Sequence, residues 1–587
     1  MLLQYVYDAA ISMVATIAFS LVGLPIVYSI GLDGAFILFI APIIGIITTS
    51  SLILLLYCAF PITFAFAMLI YMVVTVPIVV YAFYNRTIRI NGILKLSAVL
   101  IPIILSVTLV TDYASITSHG RAVLFMDGTD QAGYAHMADW LTRHTALQRP
   151  VVSPVSPYES WPQFLLENDP RFAVFSFLAI LGTALHSDAL FVLDIAFGVI
   201  LSAGLIAVAG SIASSWSGFL LCILCLIPGA WFDYSRSGYL GKVFGDPTLI
   251  VIVTTICLLG RQHTKKTLFF IIALVAMSAT VHSGLGLAMT ITPILMSYFF
   301  LQVWRSGQFD PSLVSDAFFH VLLVIGVTIA ATGVLARPLP FPPNYQLPFS
   351  LLDMTLGVTE IENIGIKITD LNNIEDIMCV AMSLCVFVYA VYIAAAIKNY
   401  LAMSIYIGIF SLFSIYIATD HKWALYQSIG IFRPLLVLGL VSCYETILLS
   451  HWRRSYIMIT TVASMLLLCV VDVPRFIGAV QRYTTEVPKN LVISKAEIKD
   501  ARRVIGTETT EIDTTNPVVA LVALIEFATP GSKVQWSERG FGTITSYRHW
   551  ERPNYSEAPT LFIVSNAEVG PTDKAMYKCD AFTIVTR

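Results

Sequence analysis

The chain predicts an all-α polytopic membrane bundle of about 14 transmembrane helices, followed by a small C-terminal soluble α/β domain. Three observations carry that expectation. Of 587 residues, 57% are hydrophobic and only 12% are charged, with a mean hydropathy of +0.80. A soluble chain is roughly one-quarter charged, so a soluble enzyme and a disordered protein are both excluded. The apolar residues come in continuous runs of about 20, the length that crosses a hydrocarbon core as a helix, whereas barrel strands alternate apolar and polar. Composition then changes sharply near Arg475, where charges return. The 34 basic and 37 acidic side chains leave a formal net charge of −3, too balanced to suggest nucleic acid.

The apolar runs fall at about 5–29, 35–58, 61–84, 96–113, 188–210, 212–231, 247–260, 267–281, 283–303, 315–336, 377–397, 400–419, 430–449 and 455–474. The first lacks a basic leading segment and runs on too far for a cleavable signal. Short-loop basic residues set the sidedness. Arg86, Arg89 and Lys95 follow the third run, and Arg261, Lys265 and Lys266 the seventh. Arg305 follows the ninth, Lys398 the eleventh, and Arg453 and Arg454 the thirteenth. With alternating spans these share one face, which is then cytoplasmic. The opposite face carries the loops 114–187, 232–246 and 337–376, the turn 420–429 and the tail 475–587. In the tail, 517–528 reads as a buried helix and 533–536, 560–564 and 581–585 as strands. Of nine cysteines, Cys222 and Cys225 form a CxxC within an apolar run and Cys579 stands alone in the tail, so no disulfide framework is expected.

Candidate chemistry gathers on the outer face. In FMDGTDQAGYAHMADWLTRH (125–144), Tyr134, Met137, Ala138 and Leu141 fall at helical spacing, which predicts an amphipathic helix on the bundle or the interface. Asp127 and Asp130 stand at its beginning. They suit an N-cap and first-turn pair at the positive helix end. They also suit a carboxylate held at the membrane surface as general base or metal ligand. The loop WFDYSRSGYLGKVFGDP (231–247) packs Asp233, Arg236, Lys242 and Asp246 beside Tyr234 and Tyr239. Two basic residues in so short a translocated loop run against the usual charge bias, and they can grip a phosphate. The bland alternative is a solvated loop. His282, Arg337, His421, Lys422 and Arg433 put further cations or imidazoles at outer helix ends. Singly each suits an interfacial residue; together they suit an anionic lipid headgroup. Asp8, Asp194, Glu445 and Asp472 lie in or near spans, where acids are costly and often functional. A buried hydrogen bond to a neighbouring helix is the plainer reading of Asp194. Walker A, GxSxG, HExxH and dinucleotide-binding fingerprints are absent.

Taken together, DGTDQAGYAHMADWL, NDPRFAVFSFLAILG (168–182) and RSGYLGKVFGDPTLI resemble the GT-C superfamily of integral-membrane glycosyltransferases over roughly residues 96–340. The first looks like that family's acid-bearing start of the first outer loop. The second is similar to the loop's next helix, and the third to the following loop and span. The resemblance implies a catalytic core at 96–474, preceded by three added helices within 1–95 and closed by an extracytoplasmic domain at 475–587. It implies a polyprenyl-phosphate-linked sugar as donor and a lipid, glycan or protein acceptor. By the same resemblance the base falls on Asp127 or Asp130, with a slight preference for Asp127, and the second acid on Asp233 or Asp246. Arg236, Lys242, His282 and Arg337 become candidates for the donor phosphate, with Tyr134, Tyr239, His421, Lys422 and Arg433 also lining the substrate site. Some members use a divalent metal, Mg or Mn, and others do not; no cofactor is otherwise implied. The expected setting is a bacterial inner membrane with a periplasmic active face. Rival expectations are a polymerase or ligase acting on lipid-pyrophosphate glycans, a lipid or glycan transporter, and a receptor or assembly protein.

Overall fold

The computed structural model describes residues 2–29, 37–85, 90–111, 122–124, 129–148, 172–227, 240–259, 265–279, 284–306, 326, 374–418, 422–449, 456–467, 491–528, 533–537 and 558–587. Among these, six helices are long and apolar enough to cross a membrane: Leu2–Ser29, Leu38–Ala59, Phe64–Tyr84, Gly92–Leu109, Ala189–Ile212 and Leu240–Cys257. Shorter apolar helices join them, including Phe172–Ala184, Trp216–Leu226, Tyr400–Ile415 and Pro434–Leu449. The fold is therefore a mostly helical, membrane-compatible bundle with a small C-terminal sheet domain, and six is the number of full-length spans supported among the described residues. The expected run at 315–336 lies outside them, save Gly326.

In chain order the bundle comprises α1 (Leu2–Ser29), α2 (Ala41–Ala59), α3 (Phe64–Tyr84) and α4 (Ile90–Thr111). After a short strand β1 (Ala122–Leu124) come α5 (Thr129–Arg143), α6 (Phe172–Ala184), α7 (Leu193–Ile212) and α8 (Trp216–Leu226). Then follow α9 (Leu240–Leu259), α10 (Lys265–Ala279), α11 (Gly284–Ser306), α12 (Ile374–Ala396), α13 (Tyr400–Ala418) and α14 (Lys422–Leu449). A last helix, α15 (Tyr456–Leu467), closes the series.

Burial sorts these helices into centre and wall. The apolar window of α9 is 100% buried and that of α7 is 89% buried, against 17% for α3. Leu69, Met72, Val73, Val76 and Val80 of α3 are exposed. A helix this apolar and this uncovered fits a lipid-facing wall and would associate in water. Small residues let the central helices approach. A Cβ on Gly23 would lie 2.0 Å from the Ala41 carbonyl oxygen, and one on Gly45 1.8 Å from that of Phe19, so α1 and α2 meet backbone to backbone. Gly204 of α7 leaves room for the Pro247 ring of α9, whose Cγ would be 2.8 Å from an added Cβ. The turn from α12 to α13 is held by Asn399. Its amide donates to Ser442 Oγ and Thr446 Oγ1 on α14, each at 2.9 Å, and its carbonyl accepts from Ala402 N at 3.0 Å.

Glu445 of α14 is another such anchor. It accepts from both the backbone and the hydroxyl of Ser214 and of Ser215, at 2.5–3.2 Å, and so caps the start of α8. The role suggested for this acid by its place in a span is therefore a structural one. Cys222 and Cys225 are buried thiols in α8, as expected for small apolar side chains.

The C-terminal domain adds β2 (Leu491–Ile493), α16 (Lys495–Ile505), β3 (Thr510–Ile512), α17 (Pro517–Phe527), β4 (Val534–Trp536), β5 (Leu561–Ser565), β6 (Lys574–Lys578) and β7 (Phe582–Thr586). Its five-stranded sheet runs β4-β3-β5-β7-β6, with β3 parallel to β4 and β5 and the other pairs antiparallel. Ser494 and Glu497 form a reciprocal capping box at the head of α16.

Contacts among the described residues join this domain to the first large loop. β1 pairs antiparallel with β2, Ala122 opposite Ile493. α5 packs on α17. Lys495 Nζ donates to Ser187 Oγ at 2.6 Å and lies 5.3 Å from the Phe191 ring centroid. β1, α5 and Ser187 thus share one end of the bundle with the described residues of the tail.

Candidate functional site

The site is built where α5, α6 and α9 meet beneath the C-terminal domain. α5 carries the apolar face expected of it: Tyr134, Met137, Ala138 and Leu141 are all buried. The helix is more enclosed than an interfacial helix would be. Ala135, His136, Asp139 and Trp140 are buried as well, because α6 covers one side and α17 the other. α6 reads FAVFSFLAILGTA and is buried from Ala173 to Gly182. It presents rings both ways: Phe175 stands 5.8 Å from Tyr134, and Phe177 5.7 Å from Phe244 of α9, centroid to centroid.

α9 begins at Leu240, earlier than the run expected from about 247. Lys242 and Asp246 therefore lie inside the helix, one turn apart, at 5% and 0% exposure, and not in an open loop. Pro247 sits within the helix, where the close Gly204 accommodates its ring. The Lys242 ammonium is the charge that acts on the Asp246 carboxylate. A lysine and an acid at i, i+4 lie on one face of the helix, near enough for the charge of one to act on the other.

The structure thus brings Tyr134, Lys242 and Asp246 into one neighbourhood through α6. Asp130 is in the first turn of α5, Lys422 opens α14, and Arg433 lies within α14 just before Pro434. Asp127, Asp233, Arg236, Tyr239, His282, Arg337 and His421 lie outside the described residues, as does Asp472. His136, fully buried on α5, was not singled out by sequence pattern, although its place two residues after Tyr134 was visible. Among the described residues no group of three or more His, Cys, Asp or Glu side chains is placed to hold a metal.

A second polar feature lies at the docking surface of the C-terminal domain. A cavity of about 250 Å³ is lined by Asp139, Thr142, Arg143, His186, Ser187 and Asp188, among others. Arg143 Nη2 is 3.0 Å from Asp139 Oδ1. From α17 comes Glu526, 1% exposed, whose Oε2 accepts from Arg502 Nη2 at 2.7 Å. Burial pushes the Glu526 carboxyl up to about 8, with Asp188 and Asp139 adding to the shift and Arg502 and Arg143 opposing it. The signal for this residue was available in sequence, since it is the lone acid in PVVALVALIEFA.

A pH dependence follows. An unfolded Glu526 ionises near 4.5, the folded one near 8. Between those values the folded state binds more protons, so its stability falls as pH rises and levels off above about 8. The thermal midpoint of the solubilised chain should show that decline, and Glu526→Gln should flatten it. An unchanged slope in the variant would assign the dependence to other groups.

No protein-family model matches the chain, and no curated protein matches it.

Proposed function

We propose that the chain is a membrane glycosyltransferase that moves a sugar from a polyprenyl-phosphate donor to a lipid, glycan or protein acceptor. The observation that carries this reading is the buried Lys242–Asp246 pair at the head of α9, roofed by the acid-bearing helix α5. A cation in apolar surroundings is suited to an anionic lipid headgroup, and a carboxylate beside it to proton transfer. The resemblance of the same segments to the GT-C superfamily points the same way.

In this proposal the donor phosphate is held by Arg236 and Lys242, and Asp246 keeps Lys242 oriented. The acceptor hydroxyl attacks the anomeric carbon from the opposite side, and its proton passes to Asp127 or Asp130. The bond from the anomeric carbon to the phosphate oxygen breaks, and the electron pair leaves with the phosphate, whose charge the cations stabilise. A single displacement inverts the anomeric carbon. The setting proposed is a bacterial inner membrane with the C-terminal domain in the periplasm.

Native mass spectrometry of the gently extracted protein tests the donor assignment. A polyprenyl phosphate or phosphosugar should co-purify with the wild type and be lost with Arg236→Ala combined with Lys242→Ala. Turnover of the carrier so identified should then fall about a hundredfold or more in Asp127→Asn or Asp130→Asn. Bulk phospholipid alone in both proteins, or full turnover in both aspartate variants, would remove the reading. Substrate movement without bond formation would point instead to a transporter.

A further inference from the structure

A polar stripe runs down α1 on one face. Gln4, Asp8, Ser12, Thr16 and Ser20 recur at every fourth residue of a helix otherwise apolar enough to span a membrane. Residues so spaced stack on one side. Asp8, Ser12, Thr16 and Ser20 are all at least 96% buried, against α2, α4 and α7. Two of the hydroxyls are satisfied along the helix itself: Thr16 donates to the Ser12 carbonyl at 2.7 Å and Ser20 to that of Thr16 at 2.6 Å. Gln4 Nε2 donates to Asp8 Oδ1 at 2.9 Å.

The rest of the stripe is not satisfied by the protein. Asp8 Oδ2, Ser12 Oγ and Thr108 Oγ1 of α4 have no hydrogen-bond partner, and Ser12 and Thr108 are 0% exposed. These groups point to one place. A Cβ built on Gly198 of α7 would lie 3.3 Å from Ser12 Oγ and 3.7 Å from the hydroxyls of Thr108 and Thr111. One turn before Gly198 stands Asp194, and one turn before Ser12 stands Asp8. The Asp8 carboxylate is the charge that acts on Asp194. α1 and α7 therefore run parallel here, and their two acids face each other beside converging hydroxyls.

Burying a hydroxyl or a carboxylate without a partner is unfavourable by several kcal/mol in general, and two facing acids in apolar surroundings cannot both ionise without a positive group. Other titratable groups on the surrounding elements are Tyr5, Tyr7 and Tyr28 on α1, Tyr57 and Cys58 on α2, Tyr71, Tyr81 and Tyr84 on α3 and Lys95 on α4, and Lys95 is exposed. Among the described residues no lysine, arginine or histidine makes an ion pair with Asp8 or Asp194. The donors present are all oxygen, which suits a hard cation. With Asp8 Oδ1 already accepting from Gln4, five oxygens are offered here, Asp8 Oδ2, the two of Asp194, Ser12 Oγ and Thr108 Oγ1, fewer than the about six to eight that calcium takes. One monovalent cation, with one proton kept on the acid pair, balances both charges. Asp194 is partly accessible and follows the segment Ser187–Phe191 that touches Lys495 of the C-terminal domain, so the entry is from that end.

We infer that Asp8, Asp194, Ser12 and Thr108 form a binding site for a sodium-sized cation between α1, α4 and α7. The inference is independent of the proposed transfer reaction. Its test uses the full chain in detergent at constant ionic strength, with sodium, potassium, calcium or choline as the cation. Radioactive sodium should bind the wild type and be displaced by unlabelled sodium better than by potassium or calcium. Sodium should also raise the thermal midpoint over choline by about 2 °C at roughly a hundredfold excess over the dissociation constant. Both effects should vanish in Asp8→Asn and Asp194→Asn and weaken in Ser12→Ala. If the aspartate variants fail to fold, the wild-type binding and its cation selectivity still decide the matter. Absence of sodium binding to the wild type overturns the site. So does a midpoint that responds to pH and to Asp8→Asn but not to the cation, since that outcome makes it a proton site alone. A shift of equal size for sodium in wild type and in folded Asp194→Asn would overturn it as well.

Discussion

Gly45→Leu is expected to separate α1 from α2 and to destabilise the protein by about 3 kcal/mol or more. The reason is the partner of the new atoms. At Gly45 even a Cβ meets the Phe19 carbonyl oxygen at 1.8 Å and the Gly23 nitrogen at 3.1 Å, both backbone atoms that no rotamer change can move. The helices have to part, and the packing of two neighbouring spans is lost over their length, with no hydrophobic force in lipid to restore it. Gly92 provides the comparison. A Cβ there meets Tyr28 Oη at 2.8 Å and Leu38 Cδ1 at 3.1 Å, the far ends of flexible side chains. Gly92→Ala should therefore cost under about 1 kcal/mol. Thermal unfolding in detergent measures both. Equal losses in the two variants would contradict the backbone-contact account.

Glu445→Ala should be the second severe change, at about 3 kcal/mol. Hydrogen bonds to a charged acceptor contribute roughly 1.5–3 kcal/mol each and are not additive within one carboxylate. The variant also leaves the amides of Ser214 and Ser215, which now donate to Oε1, without that acceptor. A double-mutant cycle makes the claim specific. A Cβ on Gly218 would lie 2.0 Å from Glu445 Oε1, so Gly218→Ala harms the wild type by displacing the carboxylate. In the Glu445→Ala background the same change should be nearly neutral. Additive losses would mean that the two residues act separately.

How much of this was legible in the chain depends on the reach of each interaction. Local composition revealed the membrane bundle and the change at the tail. The strand expected at 533–536 appears as β4, that at 560–564 as β5 and that at 581–585 as β7, with the helix at 517–528 as α17. These segments are apolar and flanked by turn residues. β3 was not visible, since TEI is short and partly polar, and β6 was not, since KAMYK is mostly exposed at the sheet edge. Non-local features left no local trace. Glu445 finds its partners about 230 residues earlier in the chain, and β1 is a strand only because β2 lies beside it. At the candidate site, residue types were legible and their setting was not. Lys242 and Asp246 were picked out for charge, yet their burial depends on α6 and α7 packing around α9. The acids Asp8 and Asp194 were each noticed alone; their pairing needed the parallel course of two helices.

The union of loop and tail has a consequence for how the molecule is made. The contact between Ser187 and Lys495 joins residues 308 positions apart, and the α5–α17 and β1–β2 contacts span comparable lengths. Membrane insertion proceeds from the N-terminal end, so α5 is synthesised long before α17 exists to cover it. For most of translation the roof over the buried Lys242–Asp246 pair stands open on one flank, and the site closes only when the last domain arrives. A chain interrupted before Leu491 carries the six full-length spans found among the described residues but lacks the cover that the C-terminal domain gives α5. Supplying residues 475–587 as a separate polypeptide to such a truncated chain would show whether that late step is a docking event that can occur between two molecules.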